Sequence, residues 1–145
     1  MTEILAPGDV VLAASAATKT DAVREAGAVL VRAGAVEPAY VDAMLERERS
    51  MSTYMGNFLA IPHGTEEAKG AITRSALCLV RYDEPVDWDG EPVRVVVGIA
   101  GVGDEHLEIL SKIALVFADM EQVQRVLDAP TAAELYAVLQ QVNEE

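Results

Sequence analysis

Two compact and mainly apolar runs most constrain how this chain of 145 residues folds. They span residues 76–82 and 93–100, are together rich in β-branched side chains, and are bounded by Asp, Pro and Gly. Runs of this kind predict strands that are buried on both faces, which requires helices on both sides of the sheet. Residues 83–92, which include Asp89-Gly90, are predicted to form the turn between them. That part of the sheet is therefore antiparallel, and we expect the whole sheet to be mixed.

Helical periodicity surrounds these strands. A first helix is predicted from Thr20-Asp21 to a stop at Gly34, and a second from Glu37-Pro38 to Arg49. The helical period returns over 107–117 and 123–127, and Thr131 with Glu134 forms a capping box that opens a last helix through residue 139. The prediction is an α/β fold: one domain over residues 1–145, a mixed β-sheet flanked by helices on both faces.

Charge narrows the possible partners. The formal net charge is −13, because 24 acidic residues stand against 11 basic ones. Such a chain repels nucleic acids and anionic membranes, and a phosphate ligand needs local positive groups. No apolar stretch approaches the roughly 20 residues of a membrane helix, and the start of the chain lacks signal-peptide features. The single cysteine, Cys78, has apolar neighbours and is predicted to be inert core. We expect a cytoplasmic protein without membrane insertion.

Two histidines follow predicted strands. His63 comes after the short apolar run 58–61 and Pro62, and Gly64 then allows the chain to turn. Thr65 is placed to cap a short helix, whose N-terminal N–H groups favour anions. His106 lies in the loop that follows strand 93–100. If both loops lie at one edge of the sheet, where ligands collect in α/β folds, the two histidines face each other.

Other interpretations of these residues remain open. Each histidine is equally compatible with a loop residue that is hydrogen-bonded to the backbone. A metal-dependent hydrolase using His63, His106 and nearby carboxylates is an alternative, although no metal-binding spacing such as HExxH is present. The glycines at 98, 101 and 103 do not complete a nucleotide-binding motif. No cofactor or metal is predicted.

Several segments resemble a known family. Residues 40–48, 52–57 and 60–65 are similar to the signature of the mannitol/fructose-type enzyme IIA of the bacterial sugar phosphotransferase system. Residues 98–101 leading into 105–107 match that family's second block, and the similarity covers about residues 4–139. The stretch 53–57 and the histidine at 106 resemble the mannitol branch more than the fructose or nitrogen-regulatory branches. Phe58 stands where family members commonly carry glycine.

The resemblance implies specific roles. His63 corresponds to the histidine that accepts a phosphoryl group from phospho-HPr and passes it to a cysteine of the IIB domain. Arg47 and His106 correspond to the active-site arginine and second histidine; from the residues alone, Arg47 is typical of a solvated helix-end charge. The chain resembles a free-standing phosphocarrier for mannitol uptake, and a nitrogen-regulatory IIA acting as a phosphorylation-controlled binding module is the alternative.

Three further residues are suited to supporting this site. Gly64 and Thr65, with adjacent backbone N–H groups, are suited to completing a cradle for the phosphoryl group. Glu48 is placed to orient Arg47, with a solvated carboxylate as the alternative interpretation.

Overall fold

The sheet is mixed and has five strands in the part of the chain that the computed structural model describes, residues 4–13 and 15–143. The order across the sheet is β1-β4-β5-β3-β2. β1 pairs with β4 in parallel and β3 with β5 in parallel, whereas the pairs β4–β5 and β2–β3 are antiparallel. The strands are β1 (Val10–Ala13), β2 (Tyr54–Gly56), β3 (Leu59–Ala60), β4 (Ala76–Trp88) and β5 (Glu91–Ala100).

Helices cover both faces of this sheet, as predicted. On one face, α1 and α2 pack on side chains from alternate positions of β4, including Cys78 and Val80. On the other face, α3, α4 and α5 pack on the intervening positions, including Leu77 and Leu79. None of the described helices is long and apolar enough to cross a membrane. The helices are α1 (Lys19–Arg32), α2 (Ala39–Ser50), α3 (Glu105–Ala118), α4 (Met120–Asp128) and α5 (Ala132–Leu139), and short 3-10 helices span Pro7–Asp9, Glu66–Ala71 and Gln140–Asn143.

Capping side chains determine where the helices begin. The hydroxyl of Thr18 accepts from the amide of Asp21 at 3.1 Å, so α1 begins slightly before the predicted position. Thr131 caps α5 in the same way by accepting from the amide of Glu134, also at 3.1 Å, which is the threonine half of the predicted capping box. Gly34 follows the end of α1 with a φ of 77°, which explains why glycine ends this helix.

The predicted turn over residues 83–92 is wrong. β4 continues to Trp88 and β5 begins at Glu91, so the turn itself consists of Asp89 and Gly90 at φ values of 56° and 95°. Pairing resumes after a register irregularity between Arg81 and Val86, which accommodates the exposed residues 83–85. The side chains of Val86 and Trp88 are buried, so the hairpin extends the sheet instead of ending it.

The edge strands β1 and β2 were not predicted, since each has too few residues to show a strand pattern. The turn between β2 and β3 places Asn57 and Phe58 in the left-handed region, at φ values of 51° and 68°. Glycine adopts this conformation without strain, which gives a physical reason for its frequency at position 58 in the family that the chain resembles. Phe58 instead packs against the core beneath α3 to α5.

Cys78 belongs to the buried core, as predicted. Its side chain is fully buried beneath α1, and its thiol donates to the carbonyl of Ala26 at 3.2 Å. Burial raises the pKa of the Cys78 thiol to about 12, so the thiolate does not form near neutral pH.

Candidate active site

Both histidines lie at the same edge of the sheet, where the adjacent parallel strands β3 and β5 end. His63 follows β3 and pairs with Ile99 in an isolated parallel bridge, which extends the β3–β5 pairing. His106 lies in the first turn of α3, directly after the loop that leaves β5, and not in the loop itself as predicted. The ring centroids are 4.9 Å apart and the ring planes are tilted by 58°. The prediction that the two histidines face each other is confirmed.

A backbone carbonyl defines the reactive nitrogen of His63. Nδ1 lies 2.8 Å from the carbonyl oxygen of Ile61, and since a carbonyl only accepts, Nδ1 carries the proton in this hydrogen bond. Nε2 is then the nitrogen with a lone pair. Burial lowers the pKa of His63 below its usual value, and the positive charge of Arg47 acts in the same direction, against the opposing effects of the Ile61 bond and Glu48. His63 is therefore neutral near pH 7 and nucleophilic at Nε2.

The hydroxyl of Tyr40 links the segment after His63 to β5. Tyr40, which lies on α2 and is buried, donates to the carbonyl of Ile99 and accepts from the amide of Gly64, each at 2.9 Å. A Cβ atom on Gly64 would lie 2.5 Å from the Tyr40 ring, so only glycine fits there. Sequence analysis missed Tyr40, since it coincides with the apolar face of α2. The available signal was its hydroxyl, because a buried Tyr usually requires a hydrogen-bond partner.

A second glycine positions His106. A Cβ atom on Gly101 would lie 2.5 Å from the Cα atom of His106. The backbone at the end of β5 therefore contacts the first turn of α3 more closely than any side chain permits. The next amide, that of Val102, donates to the hydroxyl of Ser75 at 2.9 Å. These contacts hold the start of α3 against the sheet edge.

The two histidines line a cavity of about 440 Å³. Arg47 also lines it, half-buried near the end of α2, with its Nη1 donating to the carbonyl of Met51 at 2.8 Å. A guanidinium has several N–H donors, so this bond leaves others for a ligand. The placement of Arg47 contradicts the interpretation of a solvated helix-end charge. The predicted site residues that line the cavity are Arg47, His63, Gly64, Thr65 and His106. The other lining residues are Tyr40, Glu67, Lys69, Ile72 and Gly101; of these, sequence analysis considered only the Glu67 carboxylate and the glycine at 101, for other kinds of site.

Two predicted details need correction. Glu48 does not line the cavity, and it is not solvated either: its side chain is buried and accepts from the amide and hydroxyl of Thr53 and from Nε1 of Trp88. It anchors the end of α2 and does not hydrogen-bond to Arg47. Thr65 precedes the 3-10 helix 66–71 as predicted, but its side chain makes no capping hydrogen bond. Its contribution to the site is its position on the cavity wall.

Within residues 4–13 and 15–143, no three side chains of His, Cys, Asp or Glu come together in a group that could hold a metal ion.

Comparison with known proteins identifies the family. Residues 3–142 match the model of the phosphoenolpyruvate-dependent sugar phosphotransferase system EIIA 2 family. The chain belongs to this family. A mannitol-specific phosphotransferase enzyme IIA component from Halalkalibacterium halodurans is 53% identical over 141 residues, covering 97% of each chain.

Solved structures agree with this membership. The crystal structure of IIA mannitol from Escherichia coli aligns with a TM-score of 0.85 at 36% identity, covering 92% of this chain and 97% of that one. The E. coli complex of mannitol enzyme IIA with phosphorylated mannitol enzyme IIB aligns with a TM-score of 0.85 at 35% identity, covering 92% and 94%. These matches confirm the family that the sequence resembles. The curated relatives are mannitol-specific, in agreement with the predicted resemblance to the mannitol branch.

Proposed function

We propose that this protein is a cytoplasmic phosphocarrier of a mannitol phosphotransferase system and that His63 carries the phosphoryl group. One observation supports His63 as the phosphorylated residue: its ring faces that of His106, with the centroids 4.9 Å apart, in a cavity that Arg47 also lines. The Nδ1 atom of His63 is hydrogen-bonded to the Ile61 carbonyl, which leaves Nε2 as the reactive nitrogen. A neutral imidazole with one fixed proton is suited to reversible phosphoryl transfer, because it attacks near pH 7 and later leaves. Family membership and the mannitol-specific relatives support the role.

The transfer step follows from the tautomer of His63. The lone pair on Nε2 forms a bond to phosphorus while the bond between phosphorus and the donor histidine of HPr breaks, and that electron pair returns to the donor nitrogen. The proton on Nδ1 stays in place, and the Ile61 carbonyl stabilises the positive charge that develops on the ring. In the second step, the thiolate of a IIB cysteine attacks the same phosphorus, and the P–N bond to His63 breaks.

The remaining groups align and neutralise the phosphoryl oxygens. A loose transition state leaves the protein mainly the tasks of positioning and charge stabilisation. Arg47 supplies a permanently charged donor whose guanidinium is already fixed by Met51. His106 is placed to donate a hydrogen bond from the opposite wall, and Gly64 allows the backbone to approach closely. The scheme handles no nucleotide and uses no metal.

A solved structure of a relative indicates which protein accepts the phosphoryl group in the second step. The E. coli relative forms a complex with phosphorylated mannitol enzyme IIB, and its fold and coverage match this chain. We infer the same kind of acceptor here, a IIB domain of a mannitol permease. A nitrogen-regulatory IIA from Neisseria meningitidis is less similar, at 30% identity, than the mannitol-specific relatives at 46% to 53%. The similarity therefore favours transport over regulation.

The test is phosphate transfer from phospho-HPr, followed by mapping of the labelled residue and by transfer to a purified mannitol IIB domain. We expect label on His63, none in His63→Ala, and a large decrease of the single-turnover rate in Arg47→Ala. His106→Ala should impair transfer less than the loss of His63. Normal labelling of His63→Ala would overturn the assignment, and complete loss in His106→Ala together with label on His106 in the wild type would reassign the carrier.

A further inference from the structure

Lys69 is a second cation on the wall of the cavity, and nothing in the scheme above uses it. It lies in the last turn of the 3-10 helix 66–71, half-buried, and lines the same cavity as His63 and His106. Its Nζ donates to the carbonyl of Gly103 at 3.3 Å. Gly103 belongs to the loop that leads into α3 and His106. Lys69 thus connects the segment after His63 with the segment before His106.

The charge of Lys69 affects the electrostatic balance of the cavity wall. The permanently charged side chains on the described wall are two cations, Arg47 and Lys69, and one anion, Glu67. His63 is neutral in the attacking state, and the chain as a whole carries −13. A phosphoryl group that arrives with close to two negative charges needs a net positive wall. With Lys69, the described wall carries two positive side chains against one negative side chain.

We propose that the ammonium of Lys69 binds a non-bridging oxygen of the phosphoryl group on His63. This inference rests on the proposed phosphocarrier function and extends it to one more residue. An ammonium carries several N–H donors on a flexible stem, so Lys69 binds phosphate while its bond to Gly103 persists or is replaced. No bond to phosphorus involves Lys69; it stabilises charge on the oxygens as the group arrives and leaves.

The test compares Lys69→Met and Lys69→Arg with the wild type and with Lys112→Met. Lys112 lies on α3 beside Glu108 and does not line the cavity, so it controls for the loss of one positive charge from the protein. We expect Lys69→Met to lower the single-turnover rate of phosphorylation by phospho-HPr about tenfold or more. Lys69→Arg should retain most of the rate, and Lys112→Met should match the wild type.

A spectroscopic measurement separates phosphate binding from a merely structural role. The phosphorus NMR signal of phosphorylated His63 reports the titration of its phosphoryl group. A neighbouring ammonium favours the dianion, so Lys69→Met should raise the pKa of that group and Lys69→Arg should leave it near the wild-type value. A wild-type titration in Lys69→Met would overturn the proposal, even if the transfer rate fell, because the lysine would then act only through Gly103.

The two proposals fail in different ways. A wild-type protein that takes no label from phospho-HPr overturns the phosphocarrier function, and the role of Lys69 falls with it. A labelled wild type together with an unchanged phosphoryl titration in Lys69→Met overturns the role of Lys69 alone. Thermal unfolding of each variant checks that the fold is intact before the rates are compared.

Discussion

The backbone amide of Gly64 donates a 2.9 Å hydrogen bond to the hydroxyl of Tyr40, directly beside His63. The same hydroxyl donates to the carbonyl of Ile99, so one side chain of α2 fixes both strand ends that form the site. Removing this oxygen in Tyr40→Phe leaves the buried carbonyl of Ile99 and the part-buried amide of Gly64 without that partner. We expect a loss of about 1–3 kcal/mol in the free energy of unfolding and slower phosphorylation of His63.

Denaturant unfolding and single-turnover labelling measure these two effects of Tyr40→Phe. The matched control is Tyr54→Phe on the edge strand β2, where Tyr54 is only half-buried; its stability should change by less than about 0.5 kcal/mol. Equal stability of Tyr40→Phe and the wild type would contradict the linking role of the hydroxyl.

Gly101→Ala should displace α3. The added Cβ atom would meet the backbone of His106 at 2.5 Å, and backbone atoms cannot move aside as a flexible side chain does. We expect about 1–3 kcal/mol of destabilisation and a marked decrease in transfer rate, because His106 moves relative to His63. Gly70→Ala is the control, since nothing lies within 4 Å of its Cβ position. A Gly101→Ala variant that is as stable and active as the control would contradict the close contact.

The pKa of His63 gives stability a defined pH dependence. The unfolded imidazole titrates near its usual value of 6.5, whereas burial lowers the pKa in the folded protein. Between these two values the unfolded state binds more protons, so the free energy of unfolding falls as the pH decreases from above 6.5 to the lowered pKa. Proton NMR should give a midpoint for His63 below 6.5, and His63→Gln should lose this part of the pH dependence. A midpoint at or above the usual value would refute the effect of burial.

Glu48→Ala should destabilise the end of α2 strongly. Its carboxylate is the acceptor for Thr53 and for the indole of Trp88, and these donors are buried. We expect a loss of about 2–4 kcal/mol in chemical denaturation. Glu46→Ala on the same helix is the control, because Glu46 is exposed and should cost less than about 0.5 kcal/mol. Similar effects of the two substitutions would show that the buried network contributes little.

Position 58 should prefer glycine over alanine. Both replacements remove the packing of Phe58 against the core, but only glycine adopts a φ of 68° without strain. We expect Phe58→Gly to be more stable than Phe58→Ala by about 1 kcal/mol. The opposite order is expected at the exposed helical position Ala133, where Ala133→Gly should destabilise by about 1 kcal/mol. Thermal unfolding of the three variants measures both differences, and an alanine preference at position 58 would contradict the turn geometry.

Much of the layered architecture was predictable because the buried strands and amphipathic helices have strong local patterns. The capping threonine of α5 and the stop at Gly34 were predictable for the same reason. β1 and β2 were not, since a strand of three or four residues at a sheet edge takes its structure from its neighbour and not from its own sequence. The hairpin was predicted too short because its polar residues mimic a loop, although Val86 and Trp88 alternate towards the core.

The predicted part of the site consisted of residues with recognisable chemistry or family position. The missed part depends on contacts that are distant along the chain. Tyr40 meets Gly64 across 24 residues, and Lys69 meets Gly103 across 34, so no local pattern joins either pair. Glu48 was misplaced for the same reason: a glutamate near an arginine at a helix end usually indicates solvent, and only the fold brings Trp88 to it.

The hairpin tip at Asp89-Gly90 divides the chain between its two histidines. It lies at the far end of β5 from the site, roughly 30 Å away for ten strand residues. A protein cut at this tip would yield one fragment with His63 and β4, and another with β5 and His106. Neither fragment would contain both imidazoles, and the long β4–β5 ladder would be the surface through which they reassemble. Fusing two interacting proteins to the new ends would then make phosphorylation of His63 a readout of their association.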